Sequence, residues 1–294
     1  MGLFKKLIKK TNKNIIPNEE NLLFVMDILL KERCNMPSFE KINEVINKYF
    51  GEVKYVQNDL NGISFLVLKY QKNENGKNPI CPILCLSNYI SNDDFVIDDF
   101  TKSQMFDCPR NEEILSNCKY RITANDMMTF GLSYKERTEM LMDYMEVLKE
   151  LFPQLEALYF RYTGKLIGKE NLFKNVPKEE KFIYYVLKIR YFNVEDSDDI
   201  VIDTLGMGIL EMPDLQCHFH DLDENLIMDY LYNIAMDLYC KGNQLENNDF
   251  ICGLLNDELT DKVKWSCHYE NSLVKPSRIV IDIDTGKYAA GKRK

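Results

Sequence analysis

The sequence contains three histidines, and all lie in two short segments of its second half, Cys217-His218-Phe219-His220 and Cys267-His268-Tyr269-Glu270. In an extended strand, residues two apart share a face, so His218 and His220 point one way while Cys217 and Phe219 point the other. The same parity places His268 with Glu270. If the two strands are neighbours in register, His218, His220, His268 and Glu270 converge on one sheet face. Three imidazoles and a carboxylate suit zinc or another divalent first-row metal. Asp221, just past the first strand, would add a carboxylate or fix an imidazole tautomer. A competing reading needs no metal: the histidines are hydrogen-bonded positions at the rim of a sheet, and Asp221 caps the helix that follows. Cys217 and Cys267, on the opposite face with aromatic neighbours, read as core residues rather than nucleophiles.

Other arrangements that carry chemistry are missing from the sequence. There is no GxGxxG opening a helix, no GxxxxGK[ST], no HExxH and no GxSxG. Gly206 and Gly208 precede a strand-like run and mark a bulge or a close backbone approach. The acidic run 195–199 reads as a solvated turn, since a calcium loop needs spaced ligands and a glycine.

The elements that must position the histidines follow from periodicity. Residues 19–30 read as a helix capped by Asn18, with Leu22, Leu23, Met26 and Leu30 on its apolar face. Pro37 and Ser38 open a second helix carrying Ile42, Val45 and Ile46, which Gly51 stops. Residues 53–56, 63–70, 82–86 and 120–123 read as strands. Ser133 and Glu136 form a capping box ahead of a helix that ends at Pro153, and 155–162 reads as the next strand. Residues 182–194 and 200–210 then form a β-hairpin around the acidic turn, and 215–219 is the strand of the first histidine pair. A helix with its core stripe at 226–238 ends at Gly242, and strands at 262–269 and 277–283 follow. The fold class is α+β, with mainly antiparallel sheets and helices packed on one face, in two sub-domains. The divisions fall as a basic N-terminal segment 1–16, an α+β domain 17–165, a second α+β domain 175–286 and a basic tail 287–294, with the polar stretch 164–180 as the connection.

Composition narrows the function classes. A chain of 294 residues with 45% hydrophobic and 28% charged side chains is neither disordered nor a small disulfide scaffold. Lys plus Arg is 37 against 46 for Asp plus Glu, and nine of the cations lie in residues 1–14 and 287–294, so the body carries about −18. Such a body repels phosphate backbones, which argues against nucleic acid as the main partner; the acidity reads first as simple solubility, and otherwise as a surface that attracts a basic partner. Nine cysteines without a CxxC pair fit the reduced thiols of a cytoplasmic protein. No apolar run approaches the roughly 20 residues of a membrane span. Leu3, Phe4, Leu7 and Ile8 recur opposite lysines, which allows weak contact of the basic N-terminus with an anionic membrane surface.

Several separated stretches, Phe106-Asp107-Cys108-Pro109, Ala124-Asn125-Asp126-Met127-Met128, Asp203-Thr204-Leu205-Gly206-Met207 and the run from Leu215 to Asp223, resemble in order the bacterial family of the domain of unknown function 4261. Residues 231–235 and 265–276 extend the likeness, which runs from about Phe39 and is densest from Asp203 onward. The resemblance implies a bacterial, cytoplasmic protein and assigns no activity, cofactor or catalytic residue. The leading expectation is therefore a non-enzymatic module that binds another protein, in stress response or in neutralising a toxin. The alternative is a metal-dependent, hydrolase-like enzyme using His218 and His220 with Asp221, His268 or Glu270.

Overall fold

A computed structural model of the chain describes residues 22–33, 35–72 and 79–291. The basic N-terminal segment, the expected cap at Asn18 and the end of the basic tail lie outside the described residues. The first half comprises β1 (Val25–Leu30), α1 (Phe39–Phe50), β2 (Val53–Asp59), β3 (Gly62–Val67), β4 (Ile83–Ser91), α2 (Asp99–Ser103), α3 (Asn111–Asn117), β5 (Tyr120–Met127), α4 (Tyr134–Leu151), β6 (Ala157–Phe160) and β7 (Lys165–Gly168). The second comprises α5 (Lys169–Leu172), α6 (Lys181–Val186), β8 (Lys188–Asn193), β9 (Ile200–Leu205), β10 (Asp214–Phe219), α7 (Glu224–Lys241), β11 (Phe250–Leu255), β12 (Glu258–Asn271) and β13 (Ile279–Asp284).

Local chemistry sets the helix ends. The Ser38 hydroxyl accepts from Lys41 N–H at the start of α1, and Gly51, at φ 70°, closes it. The capping box is complete: Ser133 Oγ accepts from Glu136 N–H, and Glu136 accepts from Ser133 N–H. Strands then assemble into a seven-stranded sheet, β2-β3-β4-β5-β1-β6-β7, and a six-stranded sheet, β11-β12-β13-β10-β9-β8. Every neighbouring pair is antiparallel except β10 with β13. The fold is α+β, as the sequence predicts.

One apolar cluster runs from Ile28 and Phe65 in the first sheet through Tyr144 of α4 and Phe182 of α6 to Leu231 of α7 and Trp265 and Ile281 in the second. On the other face of the first sheet, Leu29, Ala157 and Leu166 pack against Ile97, Met105, Ile114 and Cys118 from the segment of α2 and α3. Polar ties also join the halves. The Gln104 amide donates to Tyr191 O and accepts from Tyr191 N–H, both at 3.0 Å, and so covers the outer edge of β8. Lys188 Nζ, at 1% side-chain exposure, donates to Asp107 Oδ1 at 2.5 Å, and Arg137 Nη1 donates to Ile209 O at 2.6 Å.

The elements depart from expectation in several places; among them, β11 is not anticipated by the sequence reading, and residues 207–210 form a 3-10 turn rather than continuing β9. Residues 25–30 form a strand, not a helix: β1 lies between β5 and β6, and Met26, Ile28, Leu29 and Leu30 are all buried, so the apolar run fits either period. The first part of 182–194 is α6, whose aromatic and β-branched residues imitate a strand. The stretch 164–180, expected as a plain connection, contains β7 and α5. The helix after the first histidine pair is capped by Asp223, whose carboxylate accepts from the N–H groups of Asn225 and Leu226; Asp221 stands outside it at φ 54°.

Candidate functional site: an acidic sheet end and a cationic cleft

The expected convergence of His218, His220, His268 and Glu270 is not formed, because β13 stands between β10 and β12. Gln216, not His218, is level with Asp282, and Asp282 in turn is level with His268. Two strand spacings, about 9.5 Å, therefore separate the backbones of the histidine strands, and His218 stands two residues along from the level of His268. Each imidazole has its own surroundings. His268 Nε2 is 2.9 Å from Ser266 Oγ, two residues back on the same face. His220 Nδ1 is 2.8 Å from Asp221 Oδ2, and His218 Nε2 is 3.6 Å from Asp199 Oδ2. Glu270 is exposed on β12. Among the described residues, no group of three or more His, Cys, Asp or Glu side chains is placed to hold a metal. Cys217 and Cys267 are fully buried on the core face, where burial pushes the Cys267 thiol up to about 12.

What the topology does gather around His218 and His220 is negative charge. The pairing of Phe219 with Ile200 sets the β8–β9 turn, with Glu195, Asp196, Asp198 and Asp199, beside the β10–α7 connection, with Asp221, Asp223 and Glu224. Since β10 and β13 are parallel, Asp284 ends at the same side. The chain after β13 folds back on this end: Tyr288 O accepts from His220 N–H, and Ala290 N–H donates to His218 O. Gly291, at φ 80°, passes so close to the His218 ring that an added Cβ would lie 2.8 Å from Nδ1. Among the described residues, Lys287 is the one Lys or Arg in these three segments.

The face of the second sheet opposite α7 carries a row of polar side chains that register brings level: Arg190, Asp203, Gln216, Asp282 and His268. Arg190 holds Asp203 through two bonds of 2.8 and 2.6 Å, Arg278 Nη2 reaches the same carboxylate at 2.8 Å, and Arg278 Nε reaches Asp214 at 2.9 Å. All four are nearly inaccessible to solvent. Burial pushes the Asp214 carboxyl above its usual range, and the Arg278 charge opposes that rise. The same groups pin the β12–β13 connection over the sheet. Arg278 donates to Val274 O and Pro276 O, Arg190 donates to Lys275 O at 2.7 Å, and Gln216 Oε1 accepts from Leu273 N–H.

Where that connection meets the β6–β7 turn and α2, the halves leave a cleft of about 360 Å³. Arg161, Thr163, Arg190 and Lys275 supply its polar wall, and Phe100 and Pro276 supply apolar surface. Arg161 holds the buried Asp27 with Nε and Nη2 at 2.7 and 2.8 Å and keeps 44% of its side chain exposed. The Arg190 guanidinium lies 5.3 Å from the centre of the Phe192 ring, which stacks on Phe100 at 5.8 Å.

Sequence reading missed the cleft and the ion network because their members are scattered from Asp27 to Arg278. The available signal was a charge inside an apolar β-type run, Asp203 in Ile200–Leu205 and Asp282 in Ile279–Asp284. Residues 203–284 match the family model described as Domain of unknown function (DUF4261), the stretch where the sequence likeness is densest. No curated protein and no solved structure matches the chain.

Proposed function

We propose that this chain, whose residues 203–284 match the model of the domain of unknown function 4261 family, works by binding another protein and that the partner presents a basic surface. The observation that carries this reading is the convergence of Glu195, Asp196, Asp198, Asp199, Asp221, Asp223, Glu224 and Asp284 at one end of the second sheet. Like charges held together by a rigid scaffold repel one another, and a complementary cationic surface relieves that repulsion and steers the encounter. The eight cysteines among the described residues are free thiols, which supports a reducing compartment such as the cytoplasm. Neutralising a toxic basic protein is a role this surface suits.

The test uses the full chain as bait, with affinity for each captured protein measured from low to high salt and against a Glu195→Lys, Asp196→Lys, Asp198→Lys variant. These turn residues are exposed, so the fold is retained. Charge-led binding weakens by about tenfold or more between 50 and 500 mM salt, an order-of-magnitude expectation from screening, and weakens again in the variant. Affinity that is flat with salt and indifferent to the reversal would overturn the proposal.

A further inference from the structure

The cleft between the halves is unlike the rest of this acidic protein. Its wall carries Arg161, Arg190 and Lys275, and no acidic residue lines it among the described residues. The carboxylates that hold the arginines, Asp27 and Asp203, are both at 0% exposure and stand behind the guanidinium groups rather than in the opening. Asp98, beside the rim, is engaged by the Thr101 N–H and hydroxyl at 2.8 Å each. The wall is ordered in advance. Each arginine is fixed by a two-point carboxylate contact, and Arg190 clamps Lys275 through its carbonyl, so a ligand would not have to immobilise floppy side chains. The volume, about 360 Å³, suits a small molecule, and Phe100 and Pro276 offer an apolar surface beside the cations.

We infer that this cleft is a binding site for a small organic anion, one compact oxyanion, phosphate or carboxylate, on an apolar ring or chain. The oxyanion is held by Lys275 and the exposed edge of Arg161, with Arg190 behind them, while the apolar part lies against Phe100 and Pro276. This site is separate from the acidic sheet end and does not depend on partner binding there.

Isothermal titration calorimetry of the full chain with phenyl phosphate and, separately, with benzoate tests it. The expected result is one saturable site for at least one probe, with a Kd below about 1 mM. Binding of phenyl phosphate alone assigns the phosphate class, benzoate alone the carboxylate class, and both an oxyanion site of broad tolerance. Lys275→Glu is expected to weaken binding by about tenfold or more. It changes an exposed side chain and keeps the carbonyl that Arg190 uses. Lys262→Glu, exposed on β12 and outside the cleft, is expected to leave affinity within about twofold. Absence of saturable binding by both probes overturns the inference. So does a Lys275→Glu chain that binds as the wild type does, or equal weakening by both substitutions, which would mark diffuse attraction.

Discussion

Replacing Asp203 by Asn changes one atom's identity at the centre of the ion network and removes its charge. In the native protein Asp203 accepts three bonds from guanidinium groups, at 2.8, 2.6 and 2.8 Å, and is at 0% exposure. Two buried cations, Arg190 and Arg278, are balanced there by two buried anions, Asp203 and Asp214. After the substitution Asp214 still pairs with Arg278, while Arg190, 4% exposed, keeps no carboxylate partner, so one positive charge is left uncompensated away from water. Breaking a buried pair in this way costs about 3–5 kcal/mol. That is a large part of the roughly 5–15 kcal/mol that holds a domain folded. Urea unfolding followed by far-ultraviolet circular dichroism and by fluorescence of Trp265, buried in the second sheet, measures the loss. Asp196→Asn, in the exposed β8–β9 turn, serves as the control and should stay within about 0.5 kcal/mol. The double replacement Arg190→Met with Asp203→Leu leaves the Arg278–Asp214 pair balanced and should recover much of the stability. A loss below about 1 kcal/mol in Asp203→Asn would refute the reasoning, because it would mean that water or a relaxed neighbour compensates the charge.

Two further outcomes follow from the fold. Lys165 donates to Tyr184 O and Leu187 O, and burial pushes its ammonium down to about 8 from 10.5. The unfolded chain therefore holds the extra proton between these values, and native stability rises as pH climbs from about 8 toward 10.5. Relative to Lys165→Met, the wild type should gain up to about 3 kcal/mol across that window in paired denaturation curves, and parallel curves would show the ammonium to be solvated. Limited proteolysis should cut the exposed, polar residues 173–180, and the two pieces, approximating the domains 17–165 and 175–286, should elute together because one apolar cluster spans them. Separation into two independently folded fragments would contradict this.

The parts of the fold legible in the sequence are those decided within one turn of chain. Ser38, Ser133 with Glu136, and Gly242 mark helix ends that the structure keeps. Strand β1 was hidden because a strand buried on both faces loses the alternation that identifies it. Asp221 and Asp223 are both acceptable caps by type, and the left-handed turn at Asp221 decides between them. For the histidines, parity was readable and adjacency was not: Ser266 and His268 do share a face, yet the strand expected beside β12 lies one place further away. The ion network needs strand order as well as strand identity, and its residues are joined by pairings that link positions 13 to 75 apart in sequence.

The place of β13 bears on how the molecule is made. The last strand in chain order occupies a central slot of the second sheet, with β10 on one side and β12 on the other. Until residues 279–284 have been synthesised, β10 and β12 each present an unpaired edge toward the gap, and Arg278, which joins Asp203 to Asp214, has not been delivered. The second sheet thus cannot close during translation of its own earlier strands. A nascent or prematurely terminated chain ending before Arg278 would carry two adhesive strand edges and, in Asp214, an internal acid without its cation, a species for chaperones and proteases to meet.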